Sequence, residues 1–99
     1  MSEDASTLYA KLLGETARIE WPALEPFFAR GALLWVAPSL DLIAVAQAVA
    51  EDDRASVAAW LDAGEVEKLS ATRAVGYAEG TPELWAVVVS PWVVIQERA

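Results

Sequence analysis

Residues 84–96 read LWAVVVSPWVVIQ and contain no charged side chain. β-Branched and aromatic residues fill both halves of this stretch, and such residues favour extended backbone in sheets. Pro91 has no amide hydrogen to donate to a strand ladder, so Ser90-Pro91 marks either a tight turn between two antiparallel strands or a bulge in one long strand. The C-terminal part of the chain is therefore predicted to form the main part of a sheet.

Another strand is predicted over residues 32–37, ALLWVA, because a short continuous apolar run is typical of a strand buried on both faces. The wider stretch of residues 32–50 is about as long as a bilayer span and carries one charge, Asp41. Pro38 and Ser39 interrupt it near its middle. Since the residue before Pro disfavours helix and Ser is a good N-cap, we expect a strand, a turn and a buried helix over residues 40–50, not a membrane span.

Apolar residues at helical spacing predict four further helices. They cover about residues 4–17, residues 21–30, a segment that follows the acidic trio at 51–53 and stops at Gly64, and residues 70–78; a brief strand over residues 66–69 precedes the last of them. The predicted fold class is α+β. Residues 1–99 form a single small domain with about five helices packed on one face of a three- or four-stranded sheet.

The composition fits one domain with its own core, since 56% of the 99 residues are hydrophobic and 22% are charged. The chain contains no His and no Cys. These absences exclude Ser-His-Asp and Cys-His nucleophile systems, the usual zinc and haem ligand sets, and disulfides. We therefore expect a fold that needs no cofactor and no structural metal.

Seven Lys and Arg against fifteen Asp and Glu give a net charge of -8. Such a charge opposes binding to phosphate backbones and to anionic lipid, so we expect neither nucleic acid nor a membrane as partner. In a winged-helix interpretation of residues 53–95, residues 70–78 would be the recognition helix. A recognition helix normally offers several basic or amide side chains to DNA, and Arg73 is the one basic residue of this segment, so DNA binding is not expected. The acidic N-terminus lacks the basic and apolar regions of an export signal, which favours the cytoplasm.

Carboxylates are the most plausible catalytic groups in a chain without His and Cys. Glu15 and Glu20, near Asp41 or Asp53, are candidates for the paired carboxylates of a hydrolase. The acidic trio at residues 51–53 offers oxygen ligands for magnesium or calcium, but it lacks the spacing of a calcium loop. Helix capping explains these acids, so no metal site is predicted.

The five tryptophans divide into two groups. Trp35, Trp60 and Trp85 lie within apolar elements and are predicted to be core residues. Trp21 and Trp92 flank prolines at element boundaries, and because tryptophan is enriched at protein interfaces, these two are the candidates for a partly exposed interface. A ligand pocket walled by Trp and Phe is a further interpretation.

Several short segments resemble a family of small bacterial proteins classed as a domain of unknown function. They are KL at 11–12, ETA at 15–17, LDL at 40–42, DD at 52–53, AWL at 59–61 and, most specific, the Trp-rich run LWAVVV at 84–89 with PWVVIQE at 91–97. The resemblance implies a stand-alone bacterial cytosolic protein. It implies no activity and no functional residue.

The predicted function is a non-catalytic interaction module or a small homo-oligomer. A homodimer is expected because residues 40–50 form an all-apolar helix and residues 84–96 an uncharged strand pair, in a chain small enough to leave some of this surface outside. The alternative is a small carboxylate-based hydrolase, with or without a bound metal.

Overall fold

The computed structural model of the protein describes residues 5–98, and the side chains of residues 7–98. Within residues 5–98 the chain forms five helices and five strands. They are α1 (Ala5–Glu15), β1 (Ala17–Ile19), α2 (Trp21–Ala29), β2 (Leu33–Val36), α3 (Leu42–Ala50), α4 (Arg54–Asp62), β3 (Val66–Lys68), α5 (Ala71–Glu79), β4 (Leu84–Val89) and β5 (Trp92–Glu97).

The strands form one sheet in the order β1-β4-β5-β2-β3. Neighbouring strands are antiparallel except β2 and β5, which are parallel. The cis Ser90-Pro91 peptide lies in the turn between β4 and β5, where Val89 pairs with Trp92. The two-strand interpretation of residues 84–96 is therefore confirmed, and the uncharged strand pair lies inside the sheet.

The sheet has five strands, so the expected count of three or four is wrong. The missed strand is β1: its first residue, Ala17, falls at the end of the predicted first helix, and no element is predicted for residues 18–19. A three-residue strand is too short to show an alternating pattern, and β1 is defined by its pairing with β4, where Ala17 lies opposite Ala86 and Ile19 opposite Leu84.

Helices cover both faces of the sheet, which corrects the expectation of one covered face. On one side, α2 and α5 pack on a row of strand residues, and on the other side α1, α3 and α4 do so. The strands β2 and β5 alternate between these two clusters: Leu33, Trp35, Val93 and Ile95 face α2 and α5, while Leu34, Val36 and Val94 face the other three helices. Strands that are apolar on both sides require such a three-layer arrangement.

The helix α3 begins later than predicted, because Asp41 rather than Ser39 is its N-cap. The Asp41 carboxylate accepts hydrogen bonds from the backbone N–H groups of Ile43 (2.9 Å) and Ala44 (3.4 Å). α3 is buried between α1, α4 and the sheet. Most of its apolar surface is thus covered within the domain. None of the helices in the described part of the chain has the length and apolar character to cross a bilayer.

The tryptophans predicted to be in the core differ in burial. Trp35 is buried on β2, whereas Trp60 and Trp85 are half-buried and pack against the edge of the cluster around α3. Trp85 faces the cluster around α3, and the Arg98 guanidinium lies 5.2 Å from the centre of the Trp85 ring. The core prediction is therefore right for Trp35 and too strong for Trp60 and Trp85.

Candidate functional site

An apolar groove of about 580 Å³ opens on the face that carries α3 and α4. Leu34 of β2 forms its floor, Val57 and Leu61 of α4 form one wall, and Trp92 with the turn before β5 forms the other. The volume lies in the range of ligand and peptide pockets. The chain builds the groove because Trp92, two residues before the buried Val94, faces the same side of the sheet.

Among the large hydrophobic residues that line this groove, Leu61 is the most exposed. Its side chain is 48% exposed, although its spacing with Val57 and Trp60 predicts a core-facing stripe. α4 contributes no fully buried residue. Because α4 packs beside α3 and the short edge strand β3, Val57 and Leu61 border the groove, whereas Trp60 packs against the core cluster around α3.

The charged groups that line the groove differ in how they are compensated. Arg54 is paired with Asp52 (Nε to Oδ2, 3.2 Å), and both side chains are well exposed. Asp53 caps α4 by accepting hydrogen bonds from the Ser56 amide (3.2 Å) and hydroxyl (2.8 Å). The capping role predicted for the acidic trio is therefore confirmed for Asp53.

The Lys68 ammonium belongs to none of the ion pairs found among residues 5–98. Its Nζ lies 5.9 Å from the centre of the Trp92 ring, and a Cβ placed on Gly31 would lie 3.6 Å from it. The groove thus combines an apolar floor, an exposed leucine and one ammonium group without a carboxylate partner.

The two tryptophans predicted to form an interface lie in different places. Trp92 is half-buried and lines the groove, so it stays a candidate for contact with a partner. Trp21 is 6% exposed and packs against the rings of Phe28 (6.0 Å between centres) and Tyr77 (5.6 Å). This burial corrects the expectation of a partly exposed Trp21, because α5 covers the start of α2.

Comparison with known proteins identifies the family. The family model for a protein of unknown function, DUF2288, matches residues 7–97. The chain belongs to this family. The NMR solution structure of PA1075 from Pseudomonas aeruginosa is similar to it, with 63% sequence identity over 100% of this chain and 92% of that chain, and a TM-score of 0.83. No curated protein matches.

The resemblance seen in the sequence is thus confirmed as membership of DUF2288, an uncharacterised family. Membership transfers no catalytic residue.

The carboxylates proposed for a hydrolase do not form a common site at α3. Asp41 caps the start of this nine-residue helix, and Asp53 lies beyond its end. About 13 Å of helix separates the two, which exceeds the spacing that paired carboxylates need. Glu15 and Glu20 are exposed on either side of β1. Among residues 5–98, no three acidic side chains converge where a metal ion could be held.

Asp41 has a structural role at the start of α3. It accepts a hydrogen bond from the Tyr9 hydroxyl (2.6 Å) in addition to the two backbone amides. Burial raises the pKa of the Asp41 carboxyl, but these hydrogen bonds and the charge of Arg98 outweigh burial, so the pKa lies below its ordinary value.

A polar cluster around Glu97 lies on the opposite face of this DUF2288 protein. Glu97 Oε2 accepts hydrogen bonds from the Tyr77 hydroxyl (2.7 Å) and from Trp35 Nε1 (3.2 Å). The Arg73 guanidinium lies 3.7 Å from the centre of the Trp35 ring, with ion pairs to Glu67 (3.7 Å) and Glu97 (3.9 Å). The cluster connects α5 to β2, β3 and β5. Arg73, the basic residue of the predicted recognition helix, is engaged in these contacts within the domain.

The Tyr77 hydroxyl makes the free energy of unfolding decrease at alkaline pH. Burial raises its pKa above the ordinary value, and the hydrogen bond to Glu97 raises it further. Because the pKa is higher in the folded state than in the unfolded state, the contribution of Tyr77 is complete below about pH 10 and is lost as the pH rises further. We expect Tyr77→Phe to cost about 1 kcal/mol at pH 7, and to flatten the loss of stability above about pH 10.

Urea unfolding at several pH values measures this effect. Tyr9→Phe is the matched control, since Tyr9 is a partly exposed tyrosine that also donates to a carboxylate. It should keep most of the alkaline loss. Equal flattening by both variants would contradict the assignment to Tyr77.

Proposed function

We propose that this protein is a non-catalytic interaction module whose groove binds an apolar helical segment of a partner protein. The observation that carries the proposal is Leu61, which exposes 48% of its surface in a groove of about 580 Å³ that the half-buried Trp92 also lines. Apolar side chains at a concave surface, flanked by charged residues, are typical of sites that receive the apolar face of a helix.

A helical occupant suits this groove better than an added strand. The edge strands β1 and β3 have three residues each, so they offer few backbone groups to an extended peptide. The groove is bordered by α4 on one side and by the turn before β5 on the other. A partner helix would place residues spaced i, i+3, i+4 and i+7 along Leu61 and Trp92.

A partner of different sequence accounts for this surface more simply than a second copy. The homodimer stays a prediction of the sequence, but two features behind it have another explanation: α3 is covered within the domain, and β4 and β5 lie inside the sheet. If the groove receives a partner of different sequence, light scattering at tens of micromolar should give a mass near 10.7 kDa for the isolated chain, and a mass of about twice that would support the homodimer instead. We place the interaction in the cytoplasm, as the sequence predicts. Among residues 5–98, no arrangement of carboxylates favours the hydrolase.

Selection from a display library of amphipathic helical peptides tests the proposal. We expect peptides with helically spaced apolar residues, and a loss of affinity of about 30-fold or more in Leu61→Asp, as at interface hot spots. Leu13→Asp is the matched control, because Leu13 is 55% exposed on α1 and does not line the groove. The proposal is wrong if no helical peptide is enriched, or if both variants bind the selected peptides equally.

A further inference from the structure

Lys68 is the basic residue of the groove that pairs with no carboxylate of the described chain. Four charged side chains line the groove, and three of them are already engaged: Asp52 and Arg54 with each other, and Asp53 with the start of α4. The chain has fifteen acidic residues against seven basic ones. A lysine that has no carboxylate partner in so acidic a chain is available to a carboxylate from outside.

The position of the ammonium supports a role in binding. Nζ lies over the Trp92 ring at 5.9 Å and beside Gly31, so the charge stands at the apolar wall where a partner helix would lie. Contact with the ring attracts the ammonium and holds it near the groove. An approaching helix would displace water from this position, which strengthens a charge pair formed there.

We infer that the partner segment is acidic: an amphipathic helix that carries an Asp or Glu beside its apolar anchors, with the carboxylate bound by Lys68 over Trp92. This inference rests on the proposed function and adds the charge of the partner to it. The net charge of the chain opposes acidic partners at long range, so the selectivity arises from the local pair in the groove.

The same helical display library measures this preference. Selection on the wild-type protein should enrich Asp or Glu at one position next to the apolar anchors, and selection on Lys68→Glu should enrich Lys or Arg there. For an acidic peptide selected on the wild type, Lys68→Glu should weaken binding about fivefold or more, and added salt should reduce this difference. Lys68→Gln, which removes the charge without reversing it, should give a smaller loss.

Lys11→Glu is the matched control, because it makes the same change in net charge at an exposed lysine of α1 outside the groove. A reciprocal exchange completes the test: replacing the acidic residue of the peptide by Lys should restore binding to Lys68→Glu. Equal losses in Lys11→Glu and Lys68→Glu, or selected peptides without an acidic preference, overturn the inference while the groove stays the binding site. Absence of peptides sensitive to Leu61→Asp overturns the proposed function itself.

Discussion

Replacing Trp35 by alanine is expected to lower the free energy of unfolding by about 3–5 kcal/mol, the range for a large aromatic side chain removed from a packed core. Trp35 is 6% exposed on β2, with its ring against the helices α2 and α5. The substitution also removes the hydrogen bond from Nε1 to Glu97 and the stacking of Arg73 on the ring. The loss therefore combines a cavity with two broken polar contacts.

Thermal or guanidinium unfolding measures this loss. For a domain of this size, each kcal/mol corresponds to about 4–8 °C in melting temperature, so Trp35→Ala should melt at least about 12 °C below the parent. Trp85→Ala is the matched control, because Trp85 is only half-buried, and it should lose clearly less. A Trp35→Ala variant that melts within a few degrees of the parent would contradict the packing described for β2.

The burial of β2 shows what a local pattern can predict. Its four apolar residues indicated a strand buried on both faces, and the structure confirms this. A strand buried on both faces requires helices on both sides of the sheet. The correct prediction for β2 was therefore inconsistent with the expectation that helices cover only one face. β1 was missed for the opposite reason: it consists of three residues and depends on pairing with a strand more than sixty positions away.

The start of α3 shows why two good capping residues cannot be ranked from sequence. Ser39 and Asp41 both favour an N-cap. The Leu40 amide donates to the Ala37 carbonyl (3.0 Å), which closes a turn over residues 37–40 and delays the helix until Asp41 is in the capping position. Gln96 of β5 holds this turn, because its side-chain amide donates hydrogen bonds to the carbonyls of Ala37 and Leu40.

The groove could be predicted only in part. Trp92 was recognised from its place beside Pro91 at an element boundary. Leu61 was not, because its spacing on α4 is the same for a helix that faces a core and for one that borders a groove. Lys68 was not recognised either, since its lack of an ion pair is a property of the folded neighbourhood. The Glu97 cluster likewise joins β2, β5 and α5, and its members have no shared pattern in sequence.

Gln96 is expected to give the next largest loss of stability. It is the buried polar residue of the described core, 3% exposed, and its Nε2 donates to the carbonyls of Ala37 (2.9 Å) and Leu40 (2.7 Å). Replacing it by leucine keeps a similar volume but leaves the Leu40 carbonyl without this donor, while the Ala37 carbonyl keeps only the Leu40 amide. A buried polar group without a partner costs about 1–3 kcal/mol, so Gln96→Leu should lose about 1–3 kcal/mol despite the gain in hydrophobicity.

Gln96→Glu separates the loss of the donor from the change in polarity. The carboxylate has the shape of the amide but cannot donate, and it sets a negative charge against two carbonyl oxygens. It should therefore destabilise at least as much as Gln96→Leu, even though Arg98, which donates to the Gln96 side-chain oxygen (3.2 Å), lies close by. Hydrogen exchange locates the effect: the Leu40 amide should lose protection in both variants, because the turn before α3 is held through its carbonyls. If Gln96→Leu is as stable as the parent and Leu40 stays protected, the turn is held by its backbone alone and the tie to β5 is dispensable.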